Sequence, residues 1–148
     1  MDYLKRYQKM ISLRGLTDHT MKSYQTYISA YLEYIGNTLH KTPSQVSYKD
    51  QRRFLEVLQN ERNLSDRTIN VAISQLRFFT LYVLHKPWDD TQLPMRKFDT
   101  YLPFVPTKEE TKIFISTMTD LKPKAMVALM YSSGLRIGEL CHLRYEDI

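Results

Sequence analysis

The sequence predicts an all-helical protein in two parts joined by a proline-rich linker. Three observations carry this. Apolar residues recur at steps of three and four along most of the chain, the period of a helix with one buried face. No run alternates well enough to predict a strand. Four of the six prolines, Pro87, Pro94, Pro103 and Pro106, crowd into one stretch where the helical period is lost. The expected parts are a helical domain over residues 1–86, a linker over 87–102, and a second helical segment over 103–148.

The first element is a helix over residues 2–13, ended by Gly15. The second is marked by Met21, Tyr24, Ile28, Tyr31 and Ile35, with Lys22, Thr26, Ser29 and Glu33 on another face. Gly36-Asn37 reads as its C-cap. Ser47 with Asp50 forms a capping box that opens a third helix around Phe54, Leu55 and Leu58. Asn60 to Asn63 is a polar break. Ser65 opens a long helix with a core stripe of Ile69, Ala72, Ile73, Leu76, Phe79 and Val83 and a polar stripe of Arg67, Asn70, Ser74 and Arg77. The starts of the two long helices echo each other: Leu16-Thr17-Asp18-His19-Thr20 against Leu64-Ser65-Asp66-Arg67-Thr68. Each has a hydroxyl N-cap, then an acid that suits the positive helix end. Such helix starts also suit phosphates, although good capping alone explains the echo.

Trp88 is expected to pack where the long helix ends. Beyond the prolines, Thr107 and Glu110 form another capping box, before a helix through Ile113, Phe114 and Met118. Pro123 suits the first turn of the next helix, which carries Met126, Val127, Leu129 and Met130. Gly134 fits its C-cap, and a short last helix should turn Ile137, Leu140 and Leu143 inward.

Composition narrows the function classes. The chain has 148 residues, 43% hydrophobic and 25% charged, enough for a buried core. No apolar run approaches the roughly 20 residues that span a bilayer, and the first ten residues lack a secretory apolar core. The single cysteine, Cys141, allows no internal disulfide. No membrane association and a cytoplasmic location are expected. Net charge is +5, with 15 Lys/Arg against 10 Asp/Glu in residues 1–100 and six of each afterwards. The excess positive charge thus lies in the first two thirds, which points to a polyanionic partner such as nucleic acid. Cys141 and His142 are adjacent and have no second pair, so no metal site is expected.

One stretch, Ser132-Ser133-Gly134-Leu135-Arg136-Ile137-Gly138-Glu139-Leu140, presents an arginine just after a glycine turn with a carboxylate three residues on. A guanidinium at a helix start is well placed for bidentate phosphate binding, and Glu139 can orient it. On spacing alone, a surface ion pair is the commoner explanation.

That stretch, followed by Leu143 and Asp147-Ile148, resembles the first box of the tyrosine recombinase (phage integrase) family: Thr/Ser-Gly-Leu-Arg, two variable residues, Glu-Leu, then Leu and an Asp-Ile pair. GLTDHTMKSYQTYISAYLEYI resembles the family's N-terminal core-binding domain, including its threonine and tyrosine four residues apart, here Thr20 and Tyr24. LSDRTINVAISQLRFFTLYVL resembles that domain's last helix. LPFVPTKEETKIF resembles the opening of the catalytic domain. The order and spacing of these pieces cover nearly the whole chain.

The resemblance implies a SAM-like core-binding bundle, a linker, and the first helices of a catalytic domain whose sheet is absent. It implies double-stranded DNA as partner and cleavage and rejoining through a 3′-phosphotyrosine, with no cofactor, metal or ATP. Arg136 would be the first catalytic arginine and Glu139 its supporting acid. DNA contacts are expected from His19, Thr20, Lys22, Ser23 and Thr26, and from Arg67, Thr68, Asn70, Ser74 and Arg77. Lysine and arginine would hold phosphates, while Asn and Ser could reach base edges; the alternative is a solvated face. The parent enzyme would act as a tetramer on two DNA sites. This chain lacks the segment that links neighbours, so a monomer is expected.

The chain departs from the family after Ile148. No histidine is followed at the third position by arginine, and none of the 11 tyrosines follows a second arginine box. Strand cleavage by this chain alone is therefore not expected, and it reads as the N-terminal portion of a recombinase. Two rivals stay open: a non-enzymatic DNA-binding module or truncated regulator that occupies recombination sites, and a helical protein-interaction domain.

Overall fold

The computed structural model describes residues 2–147. Every regular element among them is helical, and none is a strand. The chain divides into two compact units, one through Thr100 and one from Tyr101 onward. No described helix is long and apolar enough to cross a membrane.

Each helix of the first unit begins where a side chain takes up a free N–H of its first turn. Asp2 caps α1 (Tyr3–Ser12), and Thr17 caps α2 (Asp18–Glu33). Ser47 and Asp50 form the box that opens α3 (Tyr48–Asn60). Ser65 caps α4 (Asp66–Tyr82). The apolar stripes then close on one another: Tyr7 and Ile11 from α1, Ile28 and Tyr31 from α2, Phe54, Leu55 and Leu58 from α3, and Ile69, Ala72, Ile73, Leu76 and Phe79 from α4 are all buried. Phe79 lies at the middle, its ring centroid 6.1–6.3 Å from those of Tyr3, Tyr7 and Tyr31. These tilted and edge-on contacts add to the burial of the rings. Tyr7 is fully buried and donates its hydroxyl to Gln75 Oε1 at 2.7 Å, which ties α1 to α4 without leaving that hydroxyl unmatched. Burial pushes the Tyr7 hydroxyl above its ordinary range.

The expected C-cap at Gly36-Asn37 does not form. The chain winds on through a wide turn over Tyr34–Thr38, where Leu39 N–H reaches back to Tyr34 O at 3.3 Å. Gly36 has no positive φ; the left-handed residue is His40, at φ 50°. The reason is tertiary. Ile35 is buried and Tyr34 packs against Phe54 at 5.5 Å, and placing both keeps the chain winding past the glycine.

The proline-rich stretch forms no helix, but its first part is packed. Leu93 is buried against the core. Trp88 meets Tyr48 edge-on at 5.6 Å, beside the end of α4. Arg52 donates to Gln92 O at 2.8 Å. Proline blocks the helical hydrogen bonds, and side chains from α3 and α4 supply partners instead.

In the second unit, Thr107 and Glu110 form the box of α5 (Lys108–Thr117), and Asp120 caps α6 (Leu121–Ser133). Met118 falls just past α5 in extended backbone. Gly134 ends α6 at φ 72°, in the left-handed region that a Cβ disfavours. The five-residue α7 (Ile137–Cys141) follows, then a short turn at Tyr145–Asp147. The inward orientation expected of Ile137 is not found: it is 68% exposed, because no described layer covers this short helix. Leu140 and Leu143 are half-buried.

Candidate nucleic-acid interface

The N-terminal face of α2 is built by its cap. Thr17 Oγ1 accepts from Thr20 N–H at 3.4 Å, and the two hydroxyls lie 3.0 Å apart. At α4 the pattern repeats: Ser65 Oγ accepts from Thr68 N–H at 3.4 Å, and those hydroxyls are 2.9 Å apart. The first-turn hydroxyls of Thr20 and Thr68 therefore belong to the caps. His19, Lys22, Ser23 and Thr26 lie along α2. Thr26 donates its hydroxyl to Lys22 O at 3.1 Å.

Lys22, Gln25, Thr26, Ser29 and Glu33 share one open groove with Arg62, of about 420 Å³. Arg62 comes from the break between α3 and α4. Periodicity does not nominate it, because tertiary packing is what brings it beside Lys22. Among the described residues neither cation forms an ion pair. Two cations facing one polar groove form a surface that attracts phosphate.

The polar stripe of α4 is differently placed. The segment from Trp88 to Phe98 runs along it and takes up three of its four nominated residues. Arg77 Nη1 is 3.1 Å from Asp90 Oδ1. Asn70 grips the backbone of Arg96 on both sides, donating from Nδ2 to Arg96 O at 2.9 Å and accepting from Arg96 N–H at 2.8 Å. Arg67 lies over the Phe98 ring, 5.2 Å from its centroid. Arg96 itself donates to Gln59 Oε1 at 2.6 Å and Asp66 Oδ1 at 2.8 Å. The Asn70 carboxamide thus gives one N–H and one oxygen lone pair to backbone, which leaves one of each. Ser74 and Arg77 also line a second cavity, of about 480 Å³, together with Arg14.

In the second unit the glycine turn leaves Arg136 at the N-cap of α7. Glu139 Oε2 accepts from Arg136 N–H at 2.7 Å, and Glu139 Oε1 accepts from Arg136 Nη1 at 3.1 Å. One carboxylate thereby closes the first turn and holds the guanidinium. The Arg136 side chain is 85% exposed, so its remaining N–H groups are open to an anion. His142 Nδ1 lies 2.7 Å from Gly138 O, and Cys141 is an exposed thiol. No group of three or more metal-ligating side chains occurs among the described residues. Asp147 Oδ2 accepts from Arg144 N–H at 2.8 Å; Ile148, the last residue of the box, lies outside the described residues.

Residues 3–90 match the family model described as phage integrase, N-terminal SAM-like domain. Tyrosine recombinase XerD of Oceanobacillus iheyensis is 31% identical over 91% of this chain and 48% of its own. Tyrosine recombinase XerA of Thermococcus kodakarensis is 28% identical over 99% of this chain and 49% of its own. The chain spans about half the length of the curated relatives it matches. A crystal structure of XerA recombinase superposes with a TM-score of 0.55 at 23% identity, over 99% of this chain and 51% of that one, a likeness of fold. The chain belongs to the tyrosine recombinase, or phage integrase, family, and its first unit is that family's N-terminal SAM-like domain.

Proposed function

We propose that this chain is the duplex-DNA-binding portion of a site-specific tyrosine recombinase, whose activity is cutting and rejoining DNA through a 3′-phosphotyrosine. The single observation that carries this is the family match over residues 3–90, and the net charge of +5 held within residues 1–100 supports it. On this reading the α2 face, with His19, Lys22, Ser23 and Thr26, meets the duplex together with Arg62. Lys22 and Arg62 would hold phosphates, and the helix starts capped by Thr17 and Ser65 would offer their remaining free backbone N–H groups.

Arg136 would stabilise the negative charge that builds on the equatorial oxygens of the scissile phosphate as a tyrosine attacks. Glu139 fixes the guanidinium plane beforehand, so that no reorganisation is needed at the transition state. These 148 residues hold no second arginine box and no tyrosine after one, so by themselves they would bind without cleaving, as a monomer. The complete enzyme would act as a tetramer on two sites, and no cofactor is called for.

The test is a half-site cleavage assay in a chain extended by the remaining half of its relatives. R136Q should abolish covalent phosphotyrosine formation and leave duplex affinity within about twofold. Retained cleavage would remove Arg136 from the chemistry. Equal affinity after K22E and R62E together would remove the α2 groove from the interface, and no duplex binding by the unaltered chain would favour a protein-interaction domain.

A further inference from the structure

Arg14 takes no part in the interface expected from the sequence, yet it faces the same cavity as Ser74 and Arg77. The three come from two different elements, the turn after α1 and the middle of α4. Met10, Phe78 and Tyr82 form apolar walls beside them. Arg14 lies over the Phe78 ring, 5.3 Å from its centroid. Stacking fixes a guanidinium plane and leaves its in-plane N–H edge free to donate. No carboxylate lines the cavity. Two guanidiniums and a hydroxyl facing one cavity make a site for one tetrahedral oxyanion, because each offers it a donor and the two cations supply the charge.

One anion already stands at its edge. Asp90 Oδ1 is 3.1 Å from Arg77 Nη1, and Trp88 Nε1 donates to that same oxygen at 3.0 Å. Trp88 is itself packed against Tyr48, so the position of Asp90 is held by a ring rather than left to a free loop. The pair is exposed on both sides, 47% for Arg77 and 65% for Asp90. An ion pair in that setting is weak and readily exchanged.

We propose that the cavity of Arg14, Ser74 and Arg77 is a subsite for one DNA backbone phosphate, and that Asp90 is the internal counter-anion which that phosphate displaces. This rests on the reading of the first unit as a DNA-binding domain. The Trp88–Phe98 segment then does two things. At Asn70 it is held by two hydrogen bonds to the Arg96 backbone, and at Arg77 it keeps a cationic site occupied until DNA arrives.

The experiment measures duplex-DNA affinity of the 148-residue chain across a salt series, with D90N, R14Q, R77Q and the D90N/R77Q pair. Asparagine keeps an acceptor for Trp88 Nε1, and thermal melts check that each variant stays folded. D90N should tighten binding about two- to fivefold, the equivalent of one surface ion pair. R14Q should weaken binding and lower the salt slope by about 0.9, the value for a single neutralised phosphate. The D90N gain should vanish in the R77Q background. If wild type binds DNA but D90N does not tighten it, the inference fails and the DNA-binding reading stands. A gain that survives R77Q also overturns it, since a general charge effect would then suffice. If wild type shows no salt-dependent binding, the DNA-binding reading itself fails and the inference falls with it.

Discussion

Replacing Asp50 with asparagine keeps the shape of the side chain and removes its charge. In the folded protein Asp50 is 5% exposed, and one oxygen, Oδ2, accepts from Lys41 Nζ at 2.8 Å, Ser47 N–H at 3.0 Å and Ser47 Oγ at 2.8 Å. The Lys41 ammonium first, and then the two donors of Ser47, hold this carboxyl well below its ordinary range. The amide can still accept from Ser47, and the cap that Ser47 Oγ makes to the N–H of residue 50, worth about 1 kcal/mol, is kept. The charge-assisted bond from Lys41 is worth about 1.5–3 kcal/mol, toward the lower end because Lys41 can return to water. Asp50→Asn should therefore cost about 2 kcal/mol at pH 7. A carboxyl depressed in the folded state contributes stability that is present above its unfolded value, near 4, and is lost as pH falls through its folded value. Urea melts of wild type and variant should show the gap of about 2 kcal/mol at pH 7 and 5, and a steady narrowing below about pH 4. A gap that stays constant from about pH 7 to about pH 3 would refute the ionised carboxylate as the source.

Asn70→Ala removes both hydrogen bonds to the Arg96 backbone. It should cost about 1–2 kcal/mol and speed hydrogen exchange over residues 90–98 more than in the α1 core. Gly134→Ala forces a Cβ into a backbone at φ 72°, at a cost of about 1 kcal/mol, visible as faster exchange in the last turn of α6. Reversing Lys22 and Arg62 should lower the salt slope of duplex binding by about 0.9 for each phosphate no longer neutralised, with no change in melting behaviour beyond that of surface substitutions.

The parts of the fold that local chemistry decides were legible in the sequence. Thr17, Ser47, Ser65 and Thr107 each cap the helix they announce. The stripe of Ile69, Leu76 and Phe79 is buried as its period requires. What was not legible depends on residues far apart in the chain. Asn70 and Arg96 are 26 positions apart, and Arg77 and Asp90 are 13, so no spacing rule joins them. The polar stripe on α4 reads as free because its cover lies beyond the helix, in a stretch whose prolines signal only the absence of helix. Gly36 misleads for a similar reason: the burial of Ile35 outweighs a local stop signal. Arg62 and Arg14 sit at helix breaks outside any periodic face, and only packing brings them beside Lys22 and Arg77. Arg136 is the reverse case. Its spacing to Glu139 is plain and fits a surface pair, and the phosphate clamp proposed for it rests on the surrounding family pattern instead.

The central claim, that the first unit is a DNA-binding domain, is tested most directly by fluorescence anisotropy of the 148-residue chain on labelled duplex DNA at several salt concentrations. The account predicts a linear fall of log K with log salt and a slope of several units, set by phosphate contacts that include Lys22 and Arg62. Binding that is absent, or that has no salt slope, would contradict it.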